Sequence, residues 1–350
     1  MSLGVVPFTE KPSGGSRVYL DSLGIVSGLQ FSTSYPGGDK SVELSLSAPP
    51  SFQSDGLRNG SMLYLYRGTS KIWSGRISSV GRGNPWKIQA DGLGALAAQI
   101  NASVKGNVNV VIDDAITNGL PWTRPLSVST ARTWNAGWGS ADVAKISIDE
   151  VLTKLLASEG KRWKVSSGGV LSSVSDPTTP SFFMKASSPL PLVLNDYGTA
   201  VLARYQNTTG NFNTIRRKNQ SAIDKFGYVE KQVDFGWLVL DSTTAGQYAD
   251  NFLNFISPRL VVGGEFEIGE GQLFTANAGA VDLASFRAGE MIRIQLDSTM
   301  RDAFISSQTA VDVIVGETTY YPDKKTMRIA PVGFVKSDFQ RFLGQRNWWI

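Results

Sequence analysis

Two stretches of this chain alternate apolar and polar side chains in the same way. Residues 57–66 read LRNGSMLYLY and residues 286–295 read FRAGEMIRIQ, with Arg, Gly and Met at matching positions. After the Met, an aliphatic residue fills every second place: Leu63 and Leu65, and Ile292 and Ile294. Such alternation predicts a strand with one buried face. The glycine before each strand, Gly60 or Gly289, predicts a tight turn because glycine tolerates a positive φ.

Each stretch is followed by two further strand patterns in the same order. They cover Ile72 to Val80 and residues 86–90 after the first stretch, and Ala310 to Gly316 and residues 327–330 after the second. The matches are short, and chance similarity between β-hairpins would also produce them. The agreement in order and spacing leads us to predict one β-unit that occurs twice, and a repeat of this kind defines the fold.

Helical patterns lie between and beside these units. Ser147 and Glu150 have the spacing of a capping box, and an apolar face follows them. A second helix is predicted at about Thr244 to Ile256, where a Ser-Pro pair ends it. The acidic pairs Asp113-Asp114 and Asp149-Glu150 are expected at helix N-terminal regions, where carboxylates favour the helix dipole. The 36 glycines, together with many Ser, Thr and Val residues, predict a mainly β protein of the β-rich α+β class with many turns.

The composition limits the chemistry available to the chain. Its 350 residues, 41% of them hydrophobic, are enough for two or three compact domains. The net charge of +4 does not favour nucleic-acid binding. The sequence has no Cys and no His, which excludes Ser-His-Asp and Cys-His catalysis and the usual zinc sites. We therefore predict no catalytic residue, no metal site and no cofactor.

One pair of carboxylates fits a chemistry that needs no His. Glu265 and Glu267 lie two apart, so both would project from one face of a strand. Two nearby carboxylates can catalyse glycoside hydrolysis. An exposed strand face is the simpler explanation for the pair, and we prefer it.

Large apolar side chains mark two candidate protein interfaces. They are Trp122, Trp134 and Trp138, and at the end of the sequence Trp348, Trp349 and Ile350. The first three lie among polar residues and are compatible with a small core, a protein contact or stacking on sugars. The last three are adjacent, and such a cluster usually buries against another surface. We therefore predict that they contact a neighbouring subunit.

The sequence resembles a known family, the central hub proteins of bacteriophage tail tips and baseplates, which are minor tail proteins. Four features carry the resemblance: GSMLYLYRG…IWSGRI from Gly60 to Ile77 with the WKIQADGLGALAAQI run ending at Ile100; SAIDKFGYVE from Ser221 to Glu230; the helix from Ala245 to Phe255; and LASFRAGEMIRIQL with the hairpin from Val311 to Ile329. Together they span residues 40–100 and 200–335, and residues 101–199 have no match beyond their position as an insertion.

The resemblance implies a structural protein rather than an enzyme. Family members are homotrimers in which each chain supplies two barrel domains related to the tail-tube subunit. Three chains then give six similar barrels, which can stack on a sixfold tube and present threefold symmetry to the tip. On this basis the expected domains are residues 1–100, a first tube-type β-barrel with an N-terminal arm; residues 101–200, a peripheral α/β insertion; and residues 201–350, a second barrel with a C-terminal tail.

The resemblance also implies partners and a location. The expected partners are the distal tail protein or the tube end, the tape measure protein and other tail-tip or receptor-binding proteins, with DNA only as passing cargo. We expect a place at the tail tip of the virion, assembly in the host cytoplasm, and no membrane insertion, because no apolar run reaches the roughly 18 residues of a span. Two alternatives remain open: a hexameric distal tail protein, and a carbohydrate-binding or glycoside-hydrolysing β-protein.

Overall fold

The computed structural model describes residues 5–10, 18–47, 57–104, 106–123, 133–134, 146–157, 161–185, 190–297 and 308–332. The strands are β1 (Val5–Glu10), β2 (Val18–Tyr19), β3 (Ile25–Ser34), β4 (Gly37–Ser47), β5 (Met62–Arg67), β6 (Ser70–Gly81), β7 (Trp86–Gly92), β8 (Gly106–Asn107), β9 (Thr133–Trp134), β10 (Lys161–Val165), β11 (Leu171–Ser175), β12 (Phe182–Lys185), β13 (Leu192–Leu194), β14 (Ala200–Gln206), β15 (Phe212–Lys218), β16 (Glu230–Val239), β17 (Leu260–Val262), β18 (Phe266–Gly269), β19 (Phe274–Thr275), β20 (Met291–Gln295), β21 (Ala310–Tyr321) and β22 (Thr326–Pro331). The helices are α1 (Val108–Thr117), α2 (Ile148–Ala157), α3 (Gln220–Phe226) and α4 (Ser242–Phe255). The prediction of a mainly β fold is confirmed.

Fifteen strands form one sheet that contains both predicted copies of the repeat. The first repeat is the four-stranded unit β4–β7–β6–β5, and the second repeat is β18–β22–β21–β20. Strand β3 joins them, because it pairs antiparallel with β4 on one side and with β21 on the other. The two repeats are therefore parts of one hydrogen-bonded surface.

The turn that opens each repeat has the same backbone hydrogen bonds. Gly60 N–H donates to the Ile77 carbonyl at 2.8 Å, and Ile77 N–H donates to the Ser61 carbonyl at 2.8 Å. In the second repeat Gly289 N–H donates to Val315 at 2.7 Å, and Val315 N–H donates to Glu290 at 2.9 Å. Both glycines have a positive φ, +89° and +94°. The predicted turn and its glycine requirement are confirmed.

The strand register also repeats, including one β-bulge. Between β6 and β7 the pair Ile77↔Ala90 is followed by Ser79↔Gln89, which leaves Ser78 unpaired. Between β21 and β22 the pair Val315↔Pro331 is followed by Glu317↔Ala330, which leaves Gly316 unpaired. A bulge at the same position in both units is a specific structural feature. The predicted duplication is therefore confirmed in register as well as in sequence.

The hydrophobic residues form three clusters. The largest takes side chains from both repeats, including Leu63, Trp73, Ile292 and Val313. The second lies in the insertion, where α1 and α2 pack with Trp163 of β10. The third is formed by β14, β16 and α4. The domain limits 1–100, 101–200 and 201–350 stay predictions.

Each helix of the insertion begins directly after a residue that caps its N-terminus. Helix α1 begins after Asn107, whose side chain accepts from the Asn109 and Val110 amides. Ser147 Oγ accepts from the Glu150 amide at 3.3 Å, as the capping box predicts for α2. Among the described residues, no helix is long and apolar enough to cross a membrane.

The turn at Gly289 provides a test of the repeat geometry. A Cβ on Gly289 would lie 2.8 Å from the Tyr35 ring, whereas a Cβ on Gly271, which also has a positive φ, would have nothing within 4 Å. Both alanine variants incur the left-handed backbone penalty of about 1 kcal/mol. We expect Gly289→Ala to lower the urea unfolding midpoint more than Gly271→Ala. Equal effects would mean that contact with Tyr35 does not constrain the turn.

Candidate interaction site at the repeat junction

The edge of β6 next to the second repeat lacks a complete strand partner. Ile72 is skipped in the β5–β6 register, and the pairing of β6 with β7 begins only at Gly75. Two side chains supply the missing hydrogen bonds. Asp39 Oδ2 accepts from Ser74 N–H at 2.9 Å, and the Arg287 guanidinium donates to the Ile72 carbonyl. Buried backbone groups need such partners, so this polar junction completes the edge of the first repeat.

Arg287 connects the second repeat to the first. Its guanidinium also donates to the carbonyls of Ala284 and Phe286, at 2.8 and 2.9 Å, and lies 5.9 Å from the centre of the Phe31 ring. Burial lowers the pKa of Arg287, while the negative charges of Asp39 and Asp282 oppose that change. The planar group with five donors suits several carbonyl acceptors at once.

Asp39 is the most enclosed charged residue of the junction, with 2% of its surface exposed. The chain passes close to it at Gly92, where a Cβ would lie 2.2 Å from the Asp39 backbone. Burial raises the pKa of Asp39 to about 7, against the opposing influence of Arg287, the Ser74 amide, Lys164 and Lys71. Its carboxyl group therefore changes protonation near neutral pH.

Lys164 brings the insertion into the same junction. Strand β10 pairs parallel with β4 through Lys164↔Gly37 and Val165↔Gly38. Glycine is required at position 38, because a Cβ there would lie 2.1 Å from the Val165 carbonyl oxygen. The Lys164 ammonium donates to the Ala288 carbonyl of the second repeat at 3.3 Å. The insertion and both repeats therefore meet at one set of charged side chains.

A second layer of contacts surrounds these charges. The hydroxyls of Thr33 and Thr318 are 2.7 Å apart, and Thr33 Oγ1 also accepts from Ala288 N–H at 3.0 Å. The rings of Phe31 and Tyr320 pack edge to face with centroids 5.6 Å apart. These contacts hold β3, the strand that joins the two repeats, against β21 of the second repeat.

The structure places the aromatic candidates at different positions. Trp122 is buried in the insertion, packs against Trp163 with centroids 5.7 Å apart, and donates to the Leu93 carbonyl at 2.9 Å. These contacts are those of a core residue. Trp134 lies on the short strand β9. The remaining candidates lie outside the described residues: Trp138, Trp348, Trp349 and Ile350. Their interface role stays a prediction.

The carboxylate candidates have ordinary structural surroundings. Glu265 forms an ion pair with Arg328 at 3.4 Å, and Glu267 lies exposed opposite Arg328 in the β18–β22 ladder. Asp149 and Glu150 occupy the first turn of α2, as expected. The expectation for Asp113-Asp114 was wrong, because α1 begins at Val108 and places both in its second half. In the described ranges, no group of three or more acidic residues could hold a metal ion.

Sequence reasoning missed the three charged residues of the junction. Arg287 belongs to the repeat motif, but its counterpart Arg58 is exposed, so the motif does not indicate burial. For Asp39 the sequence offered one indication of close packing, its position directly after Gly37 and Gly38. Lys164 lies in a strand that pairs with the adjacent β11 and also with β4, and only the second partner, which is distant in sequence, brings it to the junction.

The buried carboxyl group predicts a pH-dependent stability. Burial raises the pKa of Asp39 to about 7 in the folded chain, from the 3.8 of an exposed aspartate in the unfolded chain. Between these values the folded chain keeps the proton that the unfolded chain loses, so rising pH destabilises the fold. We expect wild type to lose stability relative to Asp39→Asn as the pH rises from about 4 toward 7, by roughly 1 kcal/mol per pH unit.

Urea unfolding of both proteins at several pH values would measure this difference. Asn keeps an oxygen that can accept from Ser74, so the comparison isolates the charge. Asp224→Asn removes an exposed carboxylate of α3 as the matched control. Parallel pH curves for wild type and Asp39→Asn would contradict the assignment.

Comparison with known proteins places this fold among phage tail proteins. No protein-family model matches the sequence, and no curated protein sequence matches it. Three solved structures match over nearly the whole chain. The prophage MuSo2 43 kDa tail protein from Shewanella oneidensis has a TM-score of 0.53 at 9% identity, with 94% of this chain and 98% of that chain covered.

The other two structures give the same result. The prophage tail protein gp18 from Listeria monocytogenes has a TM-score of 0.56 at 12% identity, with 97% of this chain and 98% of that chain covered. The tail protein from Neisseria meningitidis has a TM-score of 0.53 at 13% identity, with 96% and 99% covered. At such identities the similarity concerns the fold. The resemblance noted in the sequence is therefore confirmed: the chain has the fold of these tail proteins, two of which are prophage proteins.

Proposed function

We propose that this protein is a structural hub in the tail of a bacteriophage. Three copies form a ring that continues the channel of the tail tube and adapts its sixfold symmetry to a threefold tip. The observation that carries the proposal is the duplicated unit, with its matching turn and bulge, inside one chain. The fold shared with three tail proteins, two of them from prophages, supports the same conclusion.

The duplication explains why a trimer suits a sixfold neighbour. Each chain contributes two similar units, so three chains present six of them around an axis. Closed rings require head-to-tail contacts that return to the starting copy. A chain with a single unit would need six copies instead, as in the distal tail protein alternative. Two units per chain therefore favour the hub.

The proposed role is non-enzymatic. The carboxylates that fit glycoside hydrolysis are both exposed: Glu267 lies on β18, and Glu265 precedes that strand and is paired with Arg328. A catalytic acid of that type needs an apolar enclosure that keeps its proton near neutral pH. Glu265 is exposed and lies beside the Arg328 guanidinium, so its surroundings are not an apolar enclosure. The contacts of Glu265 and Glu267 favour a structural role.

The proposed partners would bind different parts of the ring. The distal tail protein or the tube end would stack on its sixfold face, and receptor-binding proteins would attach at the threefold tip. The tape measure protein would end in the channel, through which DNA passes only as cargo. In this proposal the protein acts at the tail tip of the virion, after assembly in the host cytoplasm.

Native mass spectrometry of the purified chain tests the ring. We expect a species with three times the mass of one chain. A hexamer would favour the distal tail protein, and a monomer would contradict both ring assignments. As a control on the enzymatic alternative, wild type and Glu265→Gln would be compared on cell-wall glycan. Hydrolysis by wild type that Glu265→Gln abolishes would overturn the structural role.

The predicted C-terminal contact has its own test. A chain lacking Trp348, Trp349 and Ile350 should assemble more weakly than the full chain, because three large apolar residues contribute strongly when buried at an interface. Sedimentation across a dilution series would measure the difference. Unchanged assembly would show that these residues do not contact a neighbouring subunit.

A further inference from the structure

The two copies of the repeat have opposite environments at the same position. In the second repeat, Arg287 of the opening turn is partly buried against the first repeat, and β3 covers the edge of β21 from Glu317 to Tyr320. In the first repeat, the matching Arg58 is exposed. The matching edge lies in β6, because the bulges at Ser78 and Gly316 align residues 79–81 with residues 317–319.

The edge of β6 beyond its bulge is open. Strand β5 and the Gly60 turn pair with β6 only as far as Ile77 on this side. Among the strands that the structure describes, none covers the side of residues 78–81 that faces away from β7. Ser78, Ser79 and Gly81 are exposed. An exposed strand edge is a template for pairing with another chain.

A second open edge lies in the other repeat. Strand β18 corresponds to β4 of the first repeat. Strand β4 has β7 on one side and β3 on the other, whereas β18 pairs with β22 alone in the described part of the chain. The two open edges carry opposite charge. Arg58 and Arg82 are exposed beside the β6 edge. Glu265 and Glu267 are exposed beside the β18 edge, where Arg328 pairs with Glu265 at 3.4 Å.

We propose that the β6 edge and the Arg58 turn of one copy bind the second repeat of the next copy of this chain, at its β18 edge. Within the chain, β3 pairs with the edge of β21 that matches this edge of β6, and in the external contact β18 of the next copy takes the place of β3. In this contact Arg58 binds the neighbouring copy, as Arg287 of the second repeat binds the first repeat within the chain. The proposal rests on the proposed ring and names the surfaces that close it.

The opposite charges support this choice of occupant. A contact between the two edges brings Arg58 and Arg82 toward two carboxylates and one guanidinium, that of Arg328, which is a net negative charge. Charge complementarity selects partner and register. The same two edges also belong to different repeats, so the contact is head to tail. Head-to-tail contacts are the kind that generate a ring.

Site-specific photo-crosslinking tests the contact directly. A benzophenone amino acid in place of Ser79 should crosslink to a peptide within residues 260–331 of another chain, identified by mass spectrometry. The same probe in place of Thr214, exposed on β15 of the third cluster, is the matched control and should give no such peptide. Native mass is measured on the same samples.

The outcomes separate this proposal from the ring itself. A trimer whose position 79 crosslinks within residues 260–331 supports both. A trimer that crosslinks elsewhere, or does not crosslink, overturns the surface assignment and leaves the ring. A monomer overturns both.

Charge reversal provides a second measurement. Arg58→Glu should weaken assembly by about tenfold, because it places like charges together. Lys225→Glu, which makes the same charge change on α3, should leave assembly unchanged. Combining Arg58→Glu with Glu267→Arg should restore part of the loss. Equal assembly of Arg58→Glu and Lys225→Glu, at unchanged melting temperature, would overturn the role of Arg58.

Discussion

The edge of β6 at residues 72–74 is the constraint on which the arrangement of the chain depends. A buried strand edge needs partners for its amides and carbonyls, and an orphaned group costs about 1–3 kcal/mol. Here Asp39 and Arg287 provide the partners from two different repeats. Because each of these ionisable side chains is itself costly to bury, neither is easily removed alone. The junction thus fixes the second repeat against the first.

The shared strand β3 extends the same constraint along the sheet. It directly precedes the first repeat in the sequence and pairs with β4 of that repeat, but it also pairs with β21 of the second. Thr33 and Thr318 meet across this ladder although they are 285 residues apart in the chain. The closure of so long a loop costs entropy that only many cooperative contacts can offset. The backbone ladder, the Phe31–Tyr320 pair and the charged junction together provide those contacts.

Local features of the fold could be predicted from sequence, whereas its long-range features could not. Alternation with a period of two identified the buried residues Leu63, Leu65, Ile292 and Ile294, because only one register puts them in the core. The capping box at Ser147 located α2 for the same local reason. The β3–β21 ladder and the burial of Asp39 depend on which distant segments meet. No local pattern contains that information.

The two repeats differ in their outer contacts, which depend on the neighbouring segments rather than on the sequence of the repeat. Their turns and bulges match because those hydrogen bonds lie within each unit. Arg58 and Arg287 hold the same place in the motif, but one is exposed and the other contacts a neighbouring unit. A repeat with constant internal bonds and variable outer contacts can occupy two positions in one assembly. The exposed copy then retains, on its surface, the geometry that the other copy uses inside the chain.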